Sequence, residues 1–357
     1  MKKVMHQLKQ TAVITLTLVM LSSCGGGNSS KPQFNAVVSF GDSLSDDGSY
    51  TPATIDPATG IAAGGKFTTN PGPIWIENIA ARLHLTISPN VVGFGTTSVS
   101  CPKPNCTAYG QGGSRVTDID GVGRSSGELT IPMKTQMDNH LAANAGYKAS
   151  DLVFVYGGNN DVFYQAGYVS AVVDAASAAP GATAATIGAA ATQAQQVAGL
   201  AMTAAATELA GYVRDKVLAK GAKYVAVMTL PDSAATPYGA TLTPDGRALL
   251  SGLVTTFNTA FRKAIADQSL NVLVIDANAA NKEVFANLVQ FGVSNAVTPA
   301  CDIAKLPGGS SLFCNATTLI PTANATFLFA DDVHPTTFGH RLFSDYVTRQ
   351  LVSKGWF

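Results

Sequence analysis

Four short segments rich in valine and isoleucine recur along this chain, and they constrain its fold more than any other feature. They are AVVSF (36–40), DLVFVYG (151–157), KYVAVMTL (223–230) and NVLVIDA (271–277). None shows the alternation of apolar and polar residues that a strand with one wet face requires, so we expect strands buried on both faces. Such strands occur in parallel sheets, whose neighbours are joined by long crossover connections.

Helical patterns fill the intervals between these segments. PIWIENIAARLH (73–84) places Trp75 and Ile79 on one apolar stripe, and patterns over 192–221 and 249–268 end close to the start of a strand. Alternation of strand and helix is typical of a parallel sheet with right-handed crossovers. The chain is therefore predicted to belong to the α/β class.

Other parts of the chain give weaker signals. Residues 85–150 are rich in Gly, Ser and Pro and predict long loops over the sheet, with one poorly marked strand near 106–110. The low-complexity segment 171–192 fits either a frayed helix or a mobile lid. No internal repeat or charged linker interrupts the sequence, so we predict a single domain over 34–357.

The amino terminus has the pattern of an export signal. Residues 1–23 combine three lysines with the apolar run TAVITLTLVML, which is too short to span a bilayer comfortably. LSSC resembles a bacterial lipobox, which would lipidate Cys24 and leave a Gly/Ser-rich tether over 24–33. The alternative is an ordinary signal peptide with an incidental cysteine. Because Gly25 rather than Asp follows the cysteine, we expect an outer-membrane lipoprotein on the periplasmic or cell-surface face.

Charge and composition argue against a nucleic-acid partner. Only 13% of the residues are charged, and cleavage before Cys24 would remove three lysines and no acids from a chain of net charge zero. A nearly neutral protein offers no electrostatic footprint for nucleic acid. No sequence pattern indicates a cofactor, and the oligomeric state leaves no mark in the sequence.

Four cysteines remain after Cys24. In an exported protein an even number with local spacing predicts disulfides, here Cys101–Cys106 and Cys301–Cys314 by proximity among three possible pairings. Neither pair has the close Cys-x-x-Cys spacing of common zinc sites, so no metal site is expected.

The stretch NAVVSFGDSLSDDGSY (35–50) ends a predicted strand in a glycine, an acid and a serine. These residue types are common in turns, but the carboxyl edge of a parallel sheet is also where α/β proteins build sites, so Ser43 is a candidate nucleophile. In FADDVHPTTFGH, His334 is its candidate base, and Asp331 can reach back to orient the imidazole. Asp332 is the rival acid, and either could instead cap the last helix.

Two loops could supply donors to an oxyanion. YGQGGSRVTD (109–118) offers the backbone N–H groups of Gly112 and Gly113, and YGGNND (156–161) offers an asparagine amide after a strand. Each segment alone also fits an ordinary turn. A second candidate nucleophile, Ser125 in GRSSG, lacks the preceding strand and following helix that a Gly-x-Ser-x-Gly elbow requires.

Four blocks, GDSLSD, GGSR, GGNND and DDVHPT, occur in this order over residues 41–334. They resemble the SGNH hydrolase superfamily, in its GDSL esterase/lipase family. The resemblance implies a flavodoxin-like three-layer α/β/α fold with a central parallel sheet of about five strands, and serine hydrolysis of carboxylic esters. Larger autotransporter relatives carry a membrane barrel, whereas here we expect lipid on Cys24 to provide the anchor.

The resemblance also assigns roles to individual positions. These are Ser43 as nucleophile, Asp331 and His334 as acid and base, and the Ser43 and Gly113 N–H groups with the Asn160 amide as oxyanion donors. The second block lacks the family's preceding Asn-Tyr-Ala and has CTAYGQGG instead. Gly112 and Asn159 therefore remain adjacent alternatives.

The expected function is that of a secreted, lipid-anchored esterase or lipase acting on a small-molecule or lipid ester. A phospholipase or lysophospholipase is an alternative, because anchoring would bring lipid close, and a carbohydrate acetylesterase is another. From a different class, the chain could be a non-catalytic surface lipoprotein. That interpretation is weakened because no triad or oxyanion member is missing from the sequence.

Overall fold

A four-stranded parallel sheet lies at the centre of the structure, a computed structural model that describes residues 31–101 and 106–357. The strands are β1 Ala36–Gly41, β2 Val91–Phe94, β3 Thr97–Ser100, β4 Asp151–Tyr156, β5 Tyr224–Met228 and β6 Leu273–Ile275. The central sheet has the order β1-β4-β5-β6, and β2 and β3 form a separate antiparallel hairpin. All four strands predicted from buried apolar runs are confirmed, although β6 is shorter than expected.

The weak strand predicted near 106–110 is reduced to a bridge. Ala108 makes isolated parallel bridges to Ser39 and Pro89, and the backbone N–H of Tyr109 donates to the carbonyl oxygen of Ser39 at 2.8 Å. This extended segment therefore lies beside β1, at the fifth position of the sheet. The backbone N–H of Gln111 also donates to the carbonyl oxygen of Gly41, at 3.2 Å.

The helices of the described residues begin and end at recognisable signals. They are α1 Trp75–Arg82, α2 Met133–Asn144, α3 Asn159–Ala178, α4 Ala184–Tyr212, α5 Pro237–Thr241, α6 Pro244–Asp267, α7 Ala277–Ala286 and α8 Thr337–Ser353. Thr183, Thr243 and Thr336 cap α4, α6 and α8, each accepting a hydrogen bond from a backbone N–H of the first turn. None of these helices combines the length and apolarity that crossing a membrane requires.

The segment 171–192 contains the end of α3, a short turn and the beginning of α4. Alanine dominates this stretch, and alanine has the highest intrinsic helix propensity. Helix α4 therefore begins at Ala184, eight residues before the start at 192 that the sequence pattern predicts, and Thr183 caps its first turn.

Both faces of the central sheet are covered, which gives three layers. On one face, Val38 and Phe40 of β1 belong to a buried cluster with residues of α2, α3, α4 and α6. On the other face, Val37 and Phe154 pack with α1 and α8. This alternation within single strands confirms the α/β/α arrangement.

Two cross-links hold the loops, and both predicted pairs are formed: Cys101 with Cys106, and Cys301 with Cys314. The second closes the loop that carries Ser311, a residue that contacts the candidate active site.

Residues Pro32–Phe357 form one compact unit. The predicted signal peptide (1–23), the predicted lipidation site Cys24 and most of the tether (24–33) lie outside the described residues.

Candidate active site

Ser43 begins the turn that follows β1 at the carboxyl edge of the sheet. Asp42 precedes it as the cap of this turn, and its carboxylate accepts hydrogen bonds from the backbone N–H of Leu44 at 3.1 Å and the side-chain amide of Asn159 at 2.8 Å. Asp42 thus braces the loop, and its carboxylate makes no hydrogen bond to the imidazole of His334. Ser43 is largely buried, but it lines a cavity through which a substrate can approach its hydroxyl.

Gly41 allows the end of β1 to lie very close to the backbone of β4. A Cβ at this position would lie 2.3 Å from the carbonyl oxygen of Tyr156 on β4, far inside van der Waals contact. Gln136 fixes the same residue, since its amide accepts from Gly41 N at 2.9 Å and donates to Gly41 O at 2.8 Å. The loop before the candidate nucleophile is therefore held rigidly by groups from β4 and α2.

A continuous chain of hydrogen bonds joins Ser43, His334 and Asp331. His334 Nε2 lies 2.8 Å from Ser43 Oγ, and His334 Nδ1 lies 2.8 Å from Asp331 Oδ2. Because the carboxylate can only accept, Nδ1 carries the proton and Nε2 is free to accept the hydroxyl proton of Ser43. The three residues have the geometry of a serine–histidine–aspartate triad.

The carboxylate of Asp331 is buried but well supplied with donors. Oδ1 accepts from the backbone N–H groups of Val333 at 2.9 Å and His334 at 2.7 Å, and Oδ2 also accepts from Ser311 N at 2.7 Å. Burial raises the pKa of this carboxyl, but the charge of His334 and these hydrogen bonds outweigh it and lower the pKa to about 2. Asp331 is therefore ionised at neutral pH and fixed in orientation.

The pKa of His334 is raised above its usual 6.5. Burial lowers it, but the Asp331 carboxylate, with smaller contributions from the charges of Asp42 and Glu128, more than compensates. The ring also lies against Phe67, with centroids 4.8 Å apart. These contacts favour the imidazolium that forms when the base accepts a proton.

Asp332, the rival acid, makes no hydrogen bond to the imidazole of His334. Its described contact is made by its backbone carbonyl oxygen, which accepts from Tyr238 N at 2.9 Å. Its side chain makes no hydrogen bond to the described residues, and it is only partly buried. The spacing of three residues, rather than two, brings the carboxylate back onto Nδ1.

The two adjacent glycines, Gly112 and Gly113, differ in the hydrogen bonds of their backbone N–H groups. Gly112 N donates to Asp46 Oδ2 at 2.8 Å, so it is engaged in holding the loop. Gly113 N makes no hydrogen bond to the described residues. Its φ is 71°, and a Cβ there would lie 1.9 Å from the carbonyl oxygen of Val122, so only glycine fits. Of the two, Gly113 has the N–H that remains available to an oxyanion.

The two adjacent asparagines, Asn159 and Asn160, also differ in the hydrogen bonds that their side chains make. Asn159 donates to Asp42 at 2.8 Å and thereby fixes the turn that carries Ser43. Asn160 donates one amide N–H to the carbonyl oxygen of Ser114 at 3.0 Å, which orients the amide and leaves its second N–H without a partner among the described residues. Both side chains line the cavity beside Ser43.

Several residues that support the site were not identified from the sequence. Asp46 accepts from Gly48 N, Ser49 N and Ser49 Oγ as well as from Gly112, so it ties the GDSLSD block to the second block. Burial raises its pKa to about 6. The only local sequence feature that could have identified Asp46 is its position at the end of the GDSLSD block. Ser311 and Gln136 act through contacts between residues that are far apart in sequence, and no local pattern marks them.

Ser125 has no part in this arrangement. It lies in an exposed 3-10 turn, Arg124–Ser126, with neither a preceding strand nor a following helix. Among the described residues, no group of three His, Cys, Asp or Glu side chains could hold a metal ion.

A cavity of about 360 Å³ opens at Ser43 and His334. Most of its wall is apolar, with contributions from Leu44, Trp75, Phe163, Phe329 and Phe343 among others. Its size and lining are those of a site for a small organic molecule.

The model of the GDSL-like lipase/acylhydrolase family matches residues 37–347. The chain belongs to this family. All four sequence blocks and the hydrogen-bonded Ser43–His334–Asp331 set lie within the matched region.

Curated relatives include the Esterase EstA proteins of Pseudomonas aeruginosa and Pseudomonas putida. Each is 28% identical to this family member over 354 residues, which cover 90% of this chain and 47% of the relative. An uncharacterised Pseudomonas putida protein from the trpE-trpG intergenic region is 24% identical, over 98% of this chain and 54% of its own length. The chain thus spans about half the length of the curated relatives it matches.

Two solved structures are similar. An extracellular lipase from Streptomyces rimosus has a TM-score of 0.40 at 14% identity, over 88% of this chain and 99% of the lipase. Phospholipase A1 from Streptomyces albidoflavus has a TM-score of 0.42 at 14% identity, over 88% of this chain and 98% of the phospholipase.

Proposed function

We propose that this protein is a carboxylic ester hydrolase that works through an acyl-enzyme on Ser43. The observation that carries the proposal is the hydrogen-bonded series Ser43–His334–Asp331, which opens onto a cavity with an apolar wall. Membership of a lipase/acylhydrolase family supports the same reaction class.

In the first half of the reaction, Ser43 Oγ attacks the carbonyl carbon of the ester while its proton passes to His334 Nε2. The imidazolium that forms is stabilised by the Asp331 carboxylate, already 2.8 Å from Nδ1. The proton then moves from Nε2 to the oxygen of the leaving alcohol as the ester bond breaks. Water attacks the acyl-enzyme in the second half, with His334 again accepting and returning the proton.

The negative charge on the carbonyl oxygen needs donors that are already in place. We assign this role to the N–H groups of Ser43 and Gly113 and to the second amide N–H of Asn160. None of the three is taken by another described residue, and two of the residues are fixed by their own contacts, Gly113 by its backbone and Asn160 by Ser114. Donors fixed before the reaction lose no energy to reorganisation.

The test is hydrolysis of p-nitrophenyl butanoate by purified protein. Ser43→Ala and His334→Ala should each lower kcat by several orders of magnitude, as in other serine triads. Ser125→Ala serves as the matched control and should retain full activity, because that serine is exposed and outside the site. Activity that survives in both triad variants would exclude the proposal.

A phospholipase or lysophospholipase activity is the second candidate, and the apolar wall of the cavity favours it over a carbohydrate acetylesterase. Sugar hydroxyls placed against that wall would lose hydrogen bonds to water without replacement. Fatty acid release from phosphatidylcholine, compared with acetate release from acetylated xylan, separates the two.

We also propose that the protein is exported and anchored by lipid on Cys24. The supporting observation is the sequence of residues 1–24, with an apolar run that ends in LSSC. Metabolic labelling with palmitate should mark the wild type and not Cys24→Ala. Equal labelling of both proteins would exclude lipidation at this residue.

A further inference from the structure

The cavity does not end at the candidate triad but continues between two helices. Besides the polar Asn281 of α7 and His340 of α8, its wall there is formed by Ala277, Ala280 and Val284 of α7 and by Leu342, Phe343 and Tyr346 of α8. On each helix these residues have spacings that place them on one side, so two apolar stripes face each other. We call this part of the cavity the α7–α8 cleft.

The length of the cleft follows from the residues of α8 that line it. The first is Gly339 and the last is Arg349, ten residues apart on a helix that rises about 1.5 Å per residue, so the cleft is about 15 Å long. An extended carbon chain advances about 1.25 Å per carbon, from a bond of about 1.52 Å and an angle of about 111°. The cleft therefore matches about 12 carbons.

The width of the cleft depends on two small residues. Ala277 and Ala280 are 2% and 6% exposed and line the cleft opposite the aromatic rings of α8. Because alanine ends at Cβ, larger side chains at these positions would occupy the space between the helices. The wall is apolar at these two residues, which suits an unbranched alkyl chain better than a ring with polar substituents.

The far end of the cleft is polar. Arg349 and Glu283 form an ion pair with an N···O distance of 2.7 Å, and the guanidinium carbon of Arg349 lies 5.3 Å from the ring centroid of Tyr346. Both charged side chains are about half exposed to solvent. Carbons beyond this pair would enter water, so burial of further methylene groups stops there.

We propose that the α7–α8 cleft binds a long unbranched alkyl chain of the ester substrate and sets its preferred length at about 12 carbons. This inference rests on the proposed ester hydrolase function. The chain could belong to the acyl group or to the alcohol, since both meet at the reacting carbonyl beside Ser43.

The kinetic experiment uses two series of esters. In p-nitrophenyl esters the acyl chain grows from 2 to 16 carbons, and in alkyl butanoates the alcohol grows over the same range. In the series whose chain enters the cleft, kcat/KM should rise by up to about fourfold per carbon, the factor that corresponds to about 0.8 kcal/mol per buried methylene. The rise should end near 12 carbons. A flat profile in both series would overturn the proposal.

Ala280→Phe fills the cleft, and Ala286→Phe on the same helix is the matched control, because Ala286 is exposed and outside the cavity. The ratio of kcat/KM for 12-carbon and 4-carbon chains should fall at least about tenfold in Ala280→Phe and stay at the wild-type value in Ala286→Phe. An unchanged ratio in Ala280→Phe would contradict a chain in the cleft.

A binding measurement separates failure of this inference from failure of the proposed function. In Ser43→Ala, calorimetric titration with dodecanoic acid should show binding with a negative heat-capacity change, which the added Ala280→Phe replacement abolishes. Ester hydrolysis without this binding would overturn the cleft proposal and leave the hydrolase intact. Binding without any hydrolysis would support the cleft and exclude the hydrolase.

Discussion

Replacing Asp331 by asparagine tests the candidate triad at the point where the structure is most informative. The carboxylate receives four donors: Val333 N and His334 N at Oδ1, and Ser311 N and His334 Nδ1 at Oδ2. An amide of the same shape has only one acceptor oxygen, so its NH₂ group must face donors whichever way it is placed.

The two placements have different costs. With the NH₂ group at the Oδ1 position, the backbone N–H groups of Val333 and His334 both lose their acceptor. With the NH₂ group at the Oδ2 position, only Ser311 N loses its acceptor, because the imidazole can move its proton to Nε2 and accept at Nδ1. The second placement leaves one fewer buried donor without an acceptor, so it is lower in free energy by about 1–3 kcal/mol. It leaves Nε2 protonated and unable to accept the proton of Ser43.

The expected loss of activity follows from this difference. A free-energy difference of about 1–3 kcal/mol makes the productive tautomer, with the proton on Nδ1, about 5- to 150-fold rarer. The replacement also removes the negative charge that stabilises the imidazolium. Together these effects should lower kcat by several orders of magnitude, toward the loss of about 10⁴ found for the same replacement in another serine triad.

The assay is p-nitrophenyl butanoate hydrolysis at pH 8, with circular dichroism to show that the variant is folded. Asp332→Asn is the control and should change kcat by less than about twofold, as expected for a partly exposed group without a role. If folded Asp331→Asn kept more than about a tenth of wild-type kcat, Asp331 would not orient the base.

Three further predictions concern pH and the site backbone. First, kcat/KM should fall as the pH drops through the pKa of His334, because protonated imidazole cannot accept a proton, and a midpoint at or below 6.5 in the pH–rate profile would contradict the raised pKa. Second, Gly113→Ala should lower kcat by at least about tenfold, whereas Gly181→Ala, also at positive φ but with open space around it, should not, as initial rates would show. Third, burial and the neighbouring Glu77 raise the folded-state pKa of Asp47 from 3.8 to about 8. Its contribution to the free energy of unfolding is therefore lost as the pH rises from about 4 to 8, so Asp47→Asn should reduce the drop in Tm between pH 6 and pH 9, and an unchanged drop would refute this.

The sheet and its order of helices could be predicted because the information is local. Runs such as 151–157 are apolar on both faces, and that composition alone identifies buried parallel strands. The fifth position, at the edge of the sheet, could be predicted only as a weak strand near 106–110, because Ala108 pairs with Ser39 in a segment that has no apolar run. The sequence pattern starts α4 eight residues too late, at 192 instead of 184, because an alanine-rich segment has high helix propensity but no apolar periodicity that marks where the helix begins.

The proximity of Ser43, His334 and Asp331 could be predicted from the order of the sequence blocks and from the spacing of Asp331 and His334. For the oxyanion donors the resemblance favours Gly113 and Asn160, but the sequence alone leaves the adjacent Gly112 and Asn159 open. Gly112 and Gly113 differ because the backbone N–H of Gly112 donates to Asp46, whereas that of Gly113 is left available to an oxyanion. Such assignments depend on long-range hydrogen bonds, which a local pattern does not record.

The cleft between α7 and α8 was also beyond sequence reasoning. It requires two helices from distant parts of the chain to place small residues opposite aromatic ones. The alanines at 277 and 280 fit an ordinary helix equally well until their partners on α8 are known.

The central claim, an acyl-enzyme on Ser43, can be tested by mass spectrometry of protein quenched during turnover of p-nitrophenyl butanoate. We predict a butanoyl adduct on the peptide that contains Ser43, formed in wild type and absent from Ser43→Ala. Turnover with no adduct, or with an adduct on another residue, would contradict the claim.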